Sequence, residues 1–101
     1  MLRTCFSTIG CPDWSFSEMI RHGTDSRFDG VEIRLVERET DLLSVPDFTS
    51  AALPQRRREL DDAGFLVSGL ASSVAFDSPD PTERERQVVV GRAYLDLAAE
   101  L

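Results

Sequence analysis

The sequence has few of the residues that most often announce a site. Its 101 residues include one histidine, two cysteines, one tryptophan and one tyrosine. His22 falls inside a helical pattern away from any strand end, so it reads as a surface residue. No Ser/His/Asp set can be assembled around it. Cys5 and Cys11 match neither a dense disulfide framework nor a metal-spaced pair, and they read as reduced thiols. There is no G-x-G-x-x-G, no phosphate loop and no His/Cys/Asp/Glu cluster with ligand spacing, so no metal site is expected from these residues alone. The N-terminus lacks a basic segment followed by a long apolar core, and no stretch approaches the roughly 20 apolar residues of a membrane span. The expectation is a cytoplasmic protein without a membrane partner.

Clustered positive charge is also scarce. The one basic run, Arg56-Arg57-Arg58, is followed at once by Glu59, Asp61 and Asp62, the pattern of a solvated helix face. A formal net charge of −7 argues against a nucleic-acid partner, because phosphate binding needs a basic patch.

What is present is a regular alternation. Hydrophobic residues make up 42% of the chain, ordinary for one small globular domain. Three short apolar segments, Arg3–Thr8, Gly30–Arg34 and Phe65–Ser72, each precede a helical pattern and are bracketed by turn residues. Ser15 with Glu18 predicts a capping box, followed by Phe16, Met19, Ile20 and Gly23 on one side of a helix. A second helix opens near Leu53-Pro54 and stops at Gly64. A third opens at Asp80-Pro81 with Glu83 in its first turn. Its stripe is Val90, Tyr94, Leu97 and Leu101, widened by Val88, Gly91, Leu95 and Ala98, and it is still patterned at Leu101. The order β-α-β-α-β-α predicts a parallel sheet of three strands with three helices, the opening of a (β/α)8 barrel. Residues 1–101 would then be a single partial domain whose chain halts inside an element. The irregular stretch Val36–Ala52 is the longest, and its position after a strand is a weak functional hint balanced by a plain surface excursion.

Glu32 and Arg34 are the most informative pair. Residues two apart on a strand share a face, and a parallel strand covered on both sides should be apolar throughout. Two charges there point to a polar site at the carboxyl end of the sheet, where α/β folds bind ligands. The alternatives are a structural ion pair, or an Arg34 that already lies in the loop. Ser68, Leu70 and Ser72 alternate on the third strand. Ser72-Ser73 at its end, and Ser7-Thr8 after the first strand, could bond a substrate or equally satisfy loop backbone. Trp14, beside the first helix start, reads as packing over the sheet.

These segments resemble a known family. Phe6-Ser7-Thr8-Ile9-Gly10-Cys11-Pro12-Asp13-Trp14-Ser15, Phe28-Asp29-Gly30-Val31-Glu32-Ile33-Arg34, Asp62-Ala63-Gly64 and Tyr94-Leu95-Asp96-Leu97-Ala98-Ala99-Glu100-Leu101 are similar, in order and spacing, to the opening of sugar-phosphate isomerases/epimerases, the xylose isomerase-like barrels. The resemblance implies a barrel of roughly 250 residues and a sugar or sugar-phosphate substrate. It also implies a divalent metal (Mn, Co, Mg or Zn) held by carboxylates and a histidine on later strands, and proton transfer between adjacent carbons. Glu32 matches the family's glutamate at the end of the second strand, near the substrate. Ser7, Glu32, Arg34 and Ser72 would line one wall, and a chain of this extent would be inactive alone and bind no metal. The related apurinic endonucleases place a zinc-binding histidine after the third strand. Ser72-Ser73 stand there instead, which disfavours that relative. A non-enzymatic reading also stands: an interaction module that self-associates through its open sheet edges.

Overall fold

The computed structural model describes residues 2–101. Its elements are β1 (Cys5–Ser7), α1 (Phe16–Asp25), β2 (Gly30–Ile33), α2 (Leu53–Ala63), β3 (Leu66–Leu70) and α3 (Pro81–Glu100). The strands form one parallel sheet in the order β1-β2-β3, with Phe6 opposite Val31 and Val31 opposite Val67. This is the expected βαβαβα arrangement. Among the described residues, no helix is long and apolar enough to cross a membrane.

Each strand is shorter than its apolar segment. Arg34 lies just beyond β2 and Ser72 beyond β3, so the strand bounds are corrected and Arg34 takes the loop placement that the sequence left open. The reason is local: the Arg34 amide donates to the Thr8 hydroxyl at 2.8 Å rather than to a neighbouring strand. A second correction concerns β3. An extra residue bulges out between the partners of Val31 and Glu32, which face Val67 and Gly69. The bulge breaks the two-residue period, so Leu70 packs on the core with Val67 while Ser68 is exposed.

Helix ends follow the sequence signals, with two changes. Ser15 Oγ accepts from the Glu18 amide at 3.2 Å. The Glu18 carboxylate accepts from the Ser15 hydroxyl at 3.3 Å, where a capping box would have it reach the backbone. At the start of α3, Asp80 caps Thr82 at 3.0 Å. Glu83 turns away to Arg86 and Gln87, whose hydrogen bonds hold its pKa down at about 2.

The carboxyl ends of α1 and α2 are built alike. Phe28 N donates to Gly23 O at 2.9 Å and Arg27 N to Thr24 O at 3.0 Å. Phe65 N donates to Leu60 O at 3.0 Å and Gly64 N to Asp61 O at 3.1 Å. Both are Schellman motifs, in which one left-handed residue turns the chain out of the helix. Gly64 holds that place at φ 62°, and Arg27 holds it at φ 64°. Each motif delivers a phenylalanine to the start of the next strand. The Phe28 and Phe65 rings lie 5.2 and 6.4 Å from Phe6. Gly23 makes room for Phe65 and Phe6: a Cβ there would come within 2.6 Å of Phe65 and 2.9 Å of Phe6.

The core is one cluster on one face of the sheet. Phe16 and Met19 of α1, Val31 and Ile33 of β2, Leu53 and Leu60 of α2, and Leu97 of α3 belong to it. All three helices therefore cover the same side. Strands in sequence order with every helix on one face is the winding of a barrel wall, since a doubly wound sheet divides its helices between two faces. On the other face Cys5, Glu32 and Ser68 are exposed.

Two further expectations change here. The long irregular stretch after β2 is no plain surface excursion, since it buries Leu42, Val45 and Phe48 through two short 3-10 turns. The Leu42 amide donates to the Tyr94 hydroxyl at 3.0 Å, tying the stretch to α3. The α3 stripe is narrower than the sequence suggests. Leu97 is buried and Tyr94 and Leu101 pack on the core, but Leu95 is 71% exposed and Val88 39%.

The two helical glycines predict opposite outcomes for one substitution. Gly23→Ala should destabilise by about 1–3 kcal/mol, because overpacking against two rings outweighs the better helix propensity. Gly91→Ala should stabilise by about 0.5–1 kcal/mol, as its nearest neighbour, Val74, is 3.7 Å from the added carbon. Denaturant midpoints check both signs; a stabilised Gly23→Ala protein contradicts this packing.

Candidate functional site

The carboxyl ends of the three parallel strands carry the polar side chains, because there the chain leaves the covered sheet and its groups can meet water or a ligand. Ser7 ends β1. Its hydroxyl accepts from the Ile9 amide at 3.3 Å and lies 3.4 Å from Glu32 Oε1, a long contact in which the hydroxyl donates. Ser7 and Glu32 thus stand side by side on the helix-free face. Glu32 is exposed although Val31 and Ile33 on either side are buried at 1% and 0%. That alternation is what the sequence pattern demands of a strand covered on one face only.

Glu32 and Arg34 do not form an ion pair, and among the described residues no salt bridge joins Arg34 to any carboxylate. The half-buried Arg34 side chain turns instead toward the loop after β3. Nη2 donates to Ser73 Oγ at 2.8 Å and Nη1 to the Thr40 carbonyl at 3.3 Å. The guanidinium therefore bridges the loops after β2 and β3.

Thr8 fixes where Arg34 starts. It is fully buried, and its Oγ1 accepts from the amides of Arg34 at 2.8 Å and Leu35 at 3.2 Å. Both amides would otherwise be unpaired, since β2 has ended there. The turn that follows holds Glu37 and Arg38 at φ 47° and 68°. It is secured to the loop after β1: Glu37 N donates to Trp14 O at 3.0 Å, Arg38 N to Pro12 O at 2.8 Å, and Arg38 pairs with Asp13. The first two strand-end loops are thereby one hydrogen-bonded unit.

The structure brings Ser7 to Glu32 and Arg34 to Ser73. Ser72, the other residue singled out from the sequence, is exposed and its hydroxyl accepts from the Val74 amide at 3.3 Å, so it shapes its own loop. Ser73 was a candidate hydroxyl from the sequence, but its pairing with Arg34 and the role of the Thr40 carbonyl were not foreseen, because a spacing of 39 residues between Arg34 and Ser73 leaves no local signature. Trp14 packs edge-on against Phe6 with centroids 5.9 Å apart. His22 is half-buried rather than free on the surface, its ring 4.5 Å from that of Trp14. Burial raises the Cys11 thiol pKa, so the thiolate form is disfavoured there.

Among the described residues no three His, Cys, Asp or Glu side chains come together as a metal ion would need. Glu32 could offer one ligand only, and no chemical step is derived through a metal. Family models and curated proteins were both compared with this chain, and neither comparison gives a match.

The Thr8 hydroxyl is a testable pin. Thr8→Val keeps the shape but leaves two amides without an acceptor, and should cost about 1–3 kcal/mol, read from the denaturant midpoint. Thr8→Ser keeps the acceptor and should lose less than half as much. Equal losses in the two variants would assign the effect to packing.

Proposed function

We propose that this chain forms the first three βα units of a sugar or sugar-phosphate isomerase/epimerase-like barrel and supplies one wall of its site. The observation that carries the reading is Glu32: a carboxylate exposed on the helix-free face of a parallel strand, beside Ser7, at the end where such folds act. The sequence resemblance around Phe28–Arg34 supports it, as does the placement of every helix on one side of the sheet.

In this reading Glu32 accepts hydrogen bonds from sugar hydroxyls, and Ser7 orients that carboxylate. Proton transfer between adjacent carbons requires an acid/base pair and stabilisation of the enediolate as well. One carboxylate provides neither in full, so the remaining groups must come from elsewhere in a complete barrel, including any divalent metal. The 101-residue chain alone binds sugar weakly and does not turn it over.

A second reading has its own observation. The outer side of α3 and the loop before it leave Phe76, Val89 and Leu95 exposed at 62%, 66% and 71%. A groove of about 510 Å³ lies beside Phe76 and Leu95 and reaches Leu70 at the free edge of β3. Because β1 and β3 run in the same direction and each has a free edge, a second copy could pair its β1 with β3 and lay its own surface in the groove. This is the non-enzymatic assembly module.

Three measurements test the readings. Titration of the isotopically labelled chain with D-fructose should shift the Ser7 and Glu32 amide signals, and Glu32→Gln should weaken that response several-fold. With Mn²⁺ present, solvent deuterium should not enter the sugar above a metal-only blank. A response that Glu32→Gln leaves intact contradicts the first reading. Light scattering up to millimolar concentration should show a rising mass if the assembly reading holds, and a constant monomer mass removes it.

A further inference from the structure

Arginine supplies all eleven basic residues of the chain. Among the described residues only two, Arg34 and Arg56, are withdrawn from full exposure. Desolvation penalises a charge unless another charge or a strong acceptor compensates it. For Arg56 compensation is plain: Asp47 lies at 3.5 Å and Glu59 at 3.2 Å. Among the described residues Arg34 has only neutral acceptors, the Thr40 carbonyl and the Ser73 hydroxyl. A chain of net charge −7 thus keeps one half-buried cation without a counter-charge at the strand ends.

The remaining hydrogen-bonding capacity has a definite form. A guanidinium carries five N–H donors in a rigid plane. Two are engaged, by Thr40 O and Ser73 Oγ, which leaves three. The Ser73 oxygen is already an acceptor, so its own proton is available, and among the described residues nothing takes it. A planar donor fork with a hydroxyl donor beside it matches a tetrahedral or planar oxyanion, whose oxygens accept several hydrogen bonds at once. The same two contacts hold the fork still, so little entropy is lost when an anion arrives.

We propose that Arg34 and Ser73 form an oxyanion subsite that receives the charged substituent of the sugar, a phosphoryl group or a carboxylate. The subsite rests on the reading that Glu32 and Ser7 bind the sugar, and it extends that reading to a charged substrate. Glu32 leans toward β1 and Arg34 toward the loop after β3, so the two groups divide the work. The carboxylate takes hydroxyls on one side, and the guanidinium takes the anion on the other. The subsite thus turns the guanidinium toward Thr40 and Ser73, while the Glu32 carboxylate keeps its contact with Ser7. It also places the anion after the second and third strands, whereas barrels commonly hold phosphate after the last two.

The test uses the intact chain at low ionic strength, with inorganic phosphate and glucuronate as probes and chloride at matched ionic strength as the control. Phosphate or glucuronate should shift the Arg34 Nε–H and Ser73 amide signals saturably, and chloride should not. Arg34→Lys should weaken binding about tenfold, because a point charge cannot reproduce the fork. Ser73→Ala, which leaves the cation in place, should weaken it several-fold. The stronger of the two probes identifies the substituent. Shifts spread over the exposed arginines, or unchanged binding in both variants, would overturn the subsite. If D-fructose still acts on Glu32 in that case, only the subsite fails; if D-fructose is also silent, the sugar reading fails with it.

Discussion

Two amides that have run out of strand partners converge on one buried hydroxyl, and the polar end of this molecule depends on that convergence. Thr8 leaves β1 as β2 is ending, and its oxygen receives Arg34 N and Leu35 N together. A buried amide without an acceptor is costly, so the two strand ends are locked in relative position. From that lock the Arg34 side chain departs toward Thr40 and Ser73, and the turn at Glu37-Arg38 is carried back to Pro12 and Trp14. Polar residues that would be mobile on a free loop become part of the scaffold. A site held this way is ordered before any ligand arrives.

The opposite end of the sheet is governed by shape. Two Schellman motifs bring Phe28 and Phe65 onto Phe6, and Gly23 is the gap that lets Phe65 and Phe6 close. Of these, the glycine at 64 was legible in the sequence because a helical pattern stopped on it. The turn at Arg27 was not, since arginine is an uncommon left-handed residue and tertiary packing of Phe28 decides the matter. The same contrast runs through the strands. Their order and parallel sense follow from alternation with helices, which is a local signal. The bulge at Ser68 follows from how β3 must meet β2, and no window of sequence contains both. Sequence periodicity therefore put Leu70 on the face of Ser68 and Ser72, whereas the bulge turns it onto the core.

The candidate site shows a similar division. Glu32 stood out because a charge between Val31 and Ile33 contradicts burial on both faces, and the strand is covered on one face only. Arg34 stood out for the same reason but reaches its place by a different route, as the first residue beyond the strand. Its partner Ser73 is distant in sequence, so only the fold could pair them. The exposed apolar side of α3 was read as part of a single wide stripe. Helical periodicity records which residues are apolar, not how many neighbours the helix has.

The most direct measurement of the central claim is the set of cross-strand nuclear Overhauser contacts in the labelled chain. Parallel contacts are expected to link Cys5 to Gly30, Phe6 to Val31 and Val31 to Val67, with the Arg34 and Leu35 amides both close to the Thr8 side chain. Antiparallel contacts, or a Thr8 side chain remote from both amides, would contradict that claim.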